Sequence, residues 1–409
     1  MRRPSPRLIL GLILFIAALF RFWNLGAPDK LVFDEVYYVD GAKDYLSSGV
    51  ERTNGAAEFV VHPPVGKWLI ALGIQILGDD PAGWRFSAAL IGTLSILLIY
   101  FVALRLFNSQ LLALISAGLM SIDGLHLVMS RTALLDIFLM FFLLAAFLAL
   151  LYERHIPAAI LLGLSLGTKW SAVYFIAALL IYLAFVNRKK ILFYVPIIPI
   201  TYLFTWSGWL ISDRGWSRES SSNPIVALYN YHQEILNFHT GLTTDHSYEA
   251  SPWNWLVLGR PTSFFYESPK SCGAENCSQE ILAMGTPVIW WFGLVALFIT
   301  FGYFISRRER TAGLILIALL SNYLPWFLFP ERTTFYFYAI AFLPYLILTI
   351  TYSIKLYLED ESRRQKRMQN LYAALGLTAL IFAYFAPIYL GIVLTYEDWH
   401  ARMWLPSWI

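Results

Sequence analysis

Two adjacent carboxylates, Asp34 and Glu35, stand in a polar stretch just beyond the first apolar run and directly ahead of Val36-Tyr37-Tyr38. A carboxylate in such a place can take the proton of an attacking hydroxyl, the task of a general base. Neighbouring side chains on a helix project about 100° apart, so the two acids are expected to serve different partners. The competing structural role is a helix cap, with Asp34 closing a helix that opens at Val36.

Several cations accompany these acids. In His62-Pro63-Pro64-Val65-Gly66-Lys67 the prolines fix an extended turn and Gly66 permits a tight backbone, so that Lys67 can be held against a phosphate or reach toward lipid headgroups. Arg21 and Arg85 sit at the outer ends of apolar runs; each can neutralise a phosphate or pair with Asp34 or Glu35. Ser130-Arg131-Thr132-Ala133-Leu134-Leu135-Asp136 sets Asp136 one turn into an apolar helix, where an ion pair with Arg131 competes with direct catalysis. Lys169-Trp170 and Glu331-Arg332 are candidate ligands or interfacial anchors. His232, His239 and His246 recur every seven residues beside Asp245, a spacing that sets successive rings about 10.5 Å apart along a helix and not in the geometry of a compact helix site, so no metal site is assigned. No cofactor is expected to be required, and a role for a divalent metal is left open. Walker, dinucleotide-binding and His-Glu-x-x-His motifs are missing, which leaves a soluble nucleotide donor without support.

The elements that must position these residues are membrane helices. Of the 409 residues, 58% are hydrophobic and 14% charged, and the mean hydropathy is +0.58. Runs such as Leu8 to Phe20 and Leu134 to Leu151 are apolar on every face. Arg21-Phe22-Trp23 follows the first run in place of a cleavage site, so it reads as a retained helix and not as a signal peptide. The pattern predicts an all-α polytopic membrane protein, a single domain over 1–409 with about eleven transmembrane helices. Their expected positions are Leu8 to Leu25, Arg85 to Phe107, Gln110 to Val128, Leu134 to Tyr152, Ile156 to Leu166, Trp170 to Phe185, Ile191 to Ile211, Thr286 to Ile305, Thr311 to Phe329, Thr334 to Leu356 and Leu371 to Thr395. An amphipathic stretch is expected at Trp68 to Leu77.

Arg2, Arg3, Arg7, Arg105, Arg154, Arg188-Lys189-Lys190, Arg307-Arg308-Arg310 and Arg363-Arg364-Lys366-Arg367 all fall on one side if the N-terminus is cytoplasmic. The C-terminus then lies outside, together with two polar loops, 26–84 carrying Asp34-Glu35 and 212–285 on the acceptor side. The net charge of +3 resides in these short basic clusters, which orient a membrane protein and give no support for nucleic-acid binding. Cys272 and Cys277 can form a disulfide in an external loop.

Taken together, Asp34-Glu35, the His62 to Lys67 turn, Arg131-Thr132-Ala133-Leu134-Leu135-Asp136, Gly167-Thr168-Lys169-Trp170 and Arg332-Thr333-Thr334-Phe335-Tyr336-Phe337-Tyr338 resemble the protein O-mannosyltransferases, most closely their bacterial, actinobacterial-type branch. The resemblance runs over nearly the whole chain. It implies the C-type glycosyltransferase membrane fold and a polyprenyl-phosphate mannose donor whose sugar passes to Ser or Thr of secreted proteins. It further implies that Asp34 is the catalytic acidic residue with Glu35 beside it, and that Arg21 and Arg85 are essential arginines, with Lys67 and Arg332 as further phosphate ligands. His62, Arg131, Asp136 and Lys169 would support them. The loop 212–285 is too short for the added sugar-binding module of eukaryotic members.

The expected reaction is an inverting single displacement in which Asp34 activates the acceptor hydroxyl while cations stabilise the departing lipid phosphate. Expected partners are the lipid donor, exported Ser/Thr-containing proteins, membrane lipid and the export machinery, at the external face of a bacterial plasma membrane. Rival readings are a C-type transferase with a lipid, glycan or cell-wall acceptor, and a transporter or flippase using Arg21, Asp34 and Asp136 as pathway charges.

Overall fold

The computed structural model describes residues 5–409, so Arg2 and Arg3 of the N-terminal basic cluster lie outside the described residues. Helix α1 (Pro6–Phe22) is followed by α2 (Glu35–Ser48), a small hairpin of β1 (Arg52–Thr53) and β2 (Ala56–Ala57), and α3 (Val65–Leu77), all within the first polar loop or at its edge. Next come α4 (Pro81–Phe107), α5 (Gln110–Ser121), α6 (Gly124–Met129), α7 (Asp136–Leu151), α8 (His155–Leu166), α9 (Ala172–Val186), α10 (Ile191–Thr205) and α11 (Ser207–Ile211). The second polar loop holds α12 (Pro224–Gly241), α13 (Pro252–Trp255), β3 (Thr262–Glu267) and β4 (Cys277–Ala283). Helices α14 (Pro287–Arg307), α15 (Arg310–Tyr323), α16 (Leu343–Leu358) and α17 (Arg364–Leu390), then β5 (Leu394–Thr395) and α18 (Tyr396–His400), complete the order.

Every apolar segment named above contains a helix, and among the described residues four helical stretches are long and apolar enough to cross a bilayer unaided: Pro81–Phe107, Pro287–Arg307, Arg310–Leu328 and Glu361–Leu390. Others are shorter because local chemistry interrupts them. Asp123 breaks the run after α5 and caps α6 by accepting from the His126 N–H at 3.0 Å. Pro325 and Pro344 lack the N–H that would continue an α-helix, so α15 passes into a 3-10 turn over Leu324–Leu328, and α16 begins at Leu343 after another over Tyr336–Ala341. The last long helix is capped by Gly391, whose φ of 68° is a left-handed conformation that glycine adopts most readily, and the chain turns into β5. Strand β5 extends the antiparallel β3–β4 pair, with Cys277 opposite Thr395, and Cys272 and Cys277 are joined by a disulfide.

Helices α6 and α7 form the centre, with Leu125, Met129, Ile137, Met140 and Leu144 wholly buried. By contrast α1, α10, α14 and α17 keep Leu8, Phe15, Leu192, Phe204, Phe298 and Leu380 exposed, an apolar outer surface that suits hydrocarbon and not water. Helix α4 carries Arg85 in its first turns and Arg105 in its last, so it separates two ends of the bundle by about 30 Å. Arg105, Lys190 and Arg310 converge at one end. Asp34, His62, Lys169 and Arg332 gather at the other.

Candidate active site

Asp34 and Glu35 diverge at the start of α2. Glu35 is fully buried and saturated: it accepts from Arg85 Nε and Nη2 at 2.9 Å each, from the Val32 N–H at 2.9 Å and from the Ala133 N–H at 2.8 Å. Arg85 is saturated in turn. Its remaining donors reach the carbonyls of Leu25 at 3.2 Å, Pro28 at 3.1 Å and Lys30 at 2.8 Å, so all five N–H groups of the guanidinium are used inside the protein. The structure therefore corrects the expectation that Arg85 meets a phosphate, since no donor is left for one, and makes Glu35 a tie between loop, α4 and the segment before α7.

Asp34 occupies the cap position of α2, yet its side chain makes no capping bond. Among the described residues its carboxylate has one hydrogen-bond partner, Tyr38 Oη, at 3.5 Å and one helical turn away. Burial pushes its pKa up to about 6, against the pull of the nearby Lys169 charge and with a push from Asp136. The residue before it, Phe33, is held at a φ of 49°, a left-handed conformation that is costly for a bulky side chain, by ring contacts to Phe264 at 4.8 Å, Phe337 at 5.5 Å and Phe335 at 5.8 Å. Such strain costs on the order of 1–3 kcal/mol and persists where packing enforces it.

Three of the sequence motifs meet beside Asp34. The Val65 N–H donates to the Gly167 carbonyl at 3.0 Å, which binds the proline turn to the tip between α8 and α9. A side chain at Gly167 would strike Thr205 Cγ2 at 2.6 Å and press on Val65 Cγ2 at 3.0 Å, so a glycine there permits this approach, while one at Gly66 would meet Leu135 Cδ2 at 2.5 Å. Lys169 Nζ donates to both oxygens of Asp136, at 2.8 and 2.9 Å, and lies 4.4 Å from the Tyr338 ring centre. This replaces the expected Asp136–Arg131 pair. Arg131 instead donates to the carbonyls of Phe20, Arg21, Trp23 and Asn24, capping the outer end of α1.

Lys67 is buried and paired with the buried Glu51, a partner in place of the phosphate or lipid headgroup expected from the sequence. Arg21 is fully buried, donates to the Ala17 carbonyl at 3.0 Å and sits 2.6 Å from His126 Nδ1, inside the bundle and away from any carboxylate partner. Arg332 differs from these. It is only partly buried, donates to the His239 and Thr333 carbonyls, and borders a cavity of about 210 Å³ with His62, Lys169, Trp170, Tyr174 and His239. The His62 and His239 rings are 5.4 Å apart; burial and the surrounding cations drive His62 well below its ordinary pKa and His239 to about 4, so both are neutral near pH 7. His62 Nδ1 is buried with no partner among the described residues.

Two family descriptions and three curated relatives bear on this arrangement. The model of the C-terminal four-transmembrane region of protein O-mannosyltransferase matches residues 225–408, and models of dolichyl-phosphate-mannose–protein mannosyltransferase match 61–209 and 11–84. The polyprenol-phosphate-mannose–protein mannosyltransferase of Mycolicibacterium smegmatis is 30% identical over 97% of this chain and 92% of its own length. Those of Mycobacterium tuberculosis and Corynebacterium glutamicum are also 30% identical, over 98% and 97% of this chain and 91% and 92% of theirs. The chain belongs to this mannosyltransferase family. Its fold is that of the Saccharomyces cerevisiae Pmt1-Pmt2 protein O-mannosyltransferase complex bound to the sugar donor, with a TM-score of 0.84 over 100% of this chain and 93% of that one at 15% identity. ArnT from Cupriavidus metallidurans follows at 0.64, over 95% and 77%, at 14% identity.

In this membrane mannosyltransferase, then, the structure groups Asp34, His62, Asp136, Lys169 and Arg332, and ties Glu35, Arg85, Arg131 and Lys67 into internal bonds; Arg21 is held by Ala17 and His126 but keeps a buried Nε without a partner among the described residues. Sequence reasoning passed over Tyr38, Glu51 and His126. Tyr38 was within reach, since a residue four positions after Asp34 shares its helix face. Glu51 and His126 carried no local signal, because their partners Lys67 and Arg21 are remote in sequence and met only through the packing of different elements. Sequence reasoning treats His239 only as a metal candidate; His232 and His239 both pack on Trp170, at 5.5 and 6.1 Å, while His246 packs on Phe335.

Proposed function

We propose that this enzyme transfers mannose from polyprenyl-phosphate mannose to Ser or Thr hydroxyls of exported proteins by a single inverting displacement, with Asp34 as general base. The observation that carries the assignment is the unspent carboxylate of Asp34. Beside a neighbour that makes four bonds, it makes one long one, and its raised pKa still leaves it ionised near neutral pH, where it can accept a proton as the acceptor oxygen attacks. Arg332, with the Lys169–Asp136 pair and the unpartnered His62 nitrogen, offers the cavity that would receive the donor's phosphate and sugar. Arg85, Arg21 and Lys67 hold the surrounding loop and helices in register. The proposal needs no cofactor.

The gathering of Arg105, Lys190 and Arg310 at the end of the bundle remote from Asp34 supports a cytoplasmic placement of that end and an external one for Asp34; a cytoplasmic N-terminus, eleven spans, an external C-terminus and a plasma-membrane setting complete the proposed arrangement. The disulfide of the second loop agrees with an oxidising, external setting. Incubating membranes with radiolabelled polyprenyl-phosphate mannose and a Ser/Thr-rich peptide tests the reading. Label in the peptide, released by β-elimination, is the expected result. Label confined to lipid or glycan would move the acceptor elsewhere, and no transfer from any lipid-linked sugar would favour the transporter reading.

A further inference from the structure

A second cavity, of about 280 Å³, opens at the basic end of the bundle, far from Asp34. Its mouth is built by three cations from three different helix ends: Arg105 at the end of α4, Lys190 before α10 and Arg310 at the start of α15. Their charges are only lightly engaged. Arg105 spends Nε on the Leu151 carbonyl at 3.1 Å, Lys190 lies 3.5 Å from the single carboxylate of the mouth, Glu153, and Arg310 has no side-chain hydrogen bond or ion pair among the described residues. Glu153 itself is largely exposed, with 72% of its side chain accessible. His155 completes the rim. Its Nδ1 contacts Tyr194 Oη at 2.8 Å, while its Nε2 is buried without a partner among the described residues.

Below the rim the cavity changes character. It continues between α7, α9 and α15 along Phe147, Phe175, Leu179, Leu183 and Leu314. On α9 the lining runs from Val186 at the mouth to Phe175 in the interior, a depth of about 16 Å at the rise of an α-helix. A cationic rim over an apolar shaft is the complement of an anion carried on a hydrocarbon chain, and basic pockets between membrane helices are where lipid phosphates bind.

We propose that this cleft binds one lipid phosphate: its charged group would sit among Arg105, Lys190, Arg310 and His155 Nε2, and one chain would lie between α7, α9 and α15. The ligand chemistry is shared by anionic glycerophospholipids and by polyprenyl phosphate, and the site is separate from the transfer centre.

The test uses the purified, delipidated full-length protein in detergent, titrated with dioleoylphosphatidylglycerol, undecaprenyl phosphate, dioleoylphosphatidylcholine or inorganic phosphate, with native mass spectrometry as the readout. Saturable retention of one phosphatidylglycerol or one undecaprenyl phosphate is expected, and the tighter of the two names the source. Replacing two cations in Lys190→Gln/Arg310→Gln should weaken that binding by about thirtyfold. Both positions are peripheral, and an unchanged thermal melt would show that folding is kept. Leu179→Trp, which fills the shaft and leaves the cations in place, should lower lipid retention as well. Equal binding of phosphatidylcholine, equal competition by inorganic phosphate, or unchanged retention in the double variant would each overturn the proposal.

Discussion

The anchor around Glu35 and the wall around Asp34 begin at consecutive residues and have opposite chemistry. In the anchor, Glu35 and Arg85 exhaust each other's hydrogen-bonding capacity with the help of backbone groups from Val32, Ala133, Leu25, Pro28 and Lys30. In the wall, Asp34 has one weak partner, His62 has an orphan nitrogen, and Arg332 spends only part of its guanidinium on carbonyls. Asp34 and Arg332 are charged, partly buried and only partly bonded, which leaves each with capacity to bond a ligand. Saturated groups position; unsaturated ones are free to react. The same contrast separates Arg85 from Arg332.

Substitutions can break that comparison. Asp34→Asn keeps shape and removes the base, and a loss of about 10²–10⁴ in transfer rate with an unchanged melting temperature is expected. Arg85→Lys should act in the opposite way: a Lys has three donors where five are used, and a broken buried pair costs about 3–5 kcal/mol, seen as a lower melting temperature or loss of folded protein. Arg332→Gln should lower the transfer rate by about 10²-fold while the fold survives, as removal of a single charge-stabilising donor does. The smallest effect is that of pH. Because burial raises Asp34 to about 6, the ionised fraction is nearly complete at pH 7.5 and falls tenfold per unit well below 6, so log rate against pH should rise with unit slope and level off above that value. A profile flat down to pH 5 would assign the proton to another group.

Much of the fold was legible because a membrane helix declares itself by apolar length alone. Each segment expected to be apolar contains a helix, and α3 covers the stretch expected at Trp68 to Leu77. Breaks within segments, at Asp123, Pro325 and Pro344, were present in the sequence as cap and proline signals but were overridden by the apolar run around them. The sheet was not legible: β5 joins β4 through Cys277 and Thr395, residues too distant for any local pattern to connect. For the candidate site, residue types single out Asp34 and Arg332, and the pairing of Arg85 with an acid is one of the two roles the sequence offers for it. Lys67 and Arg131 were misread because their partners, Glu51 and the last carbonyls of α1, become neighbours only when α3, the β1–β2 hairpin, α1 and the turn before α7 pack together.

The most direct test of the account compares purified Asp34→Asn with Glu35→Gln, each measured for mannose transfer to a Ser/Thr peptide and for thermal melting. The account predicts a crossing: Asp34→Asn melts like the wild type and is almost silent in transfer, whereas Glu35→Gln melts earlier and still transfers at temperatures where it remains folded. Near-normal transfer by a well-folded Asp34→Asn would contradict it.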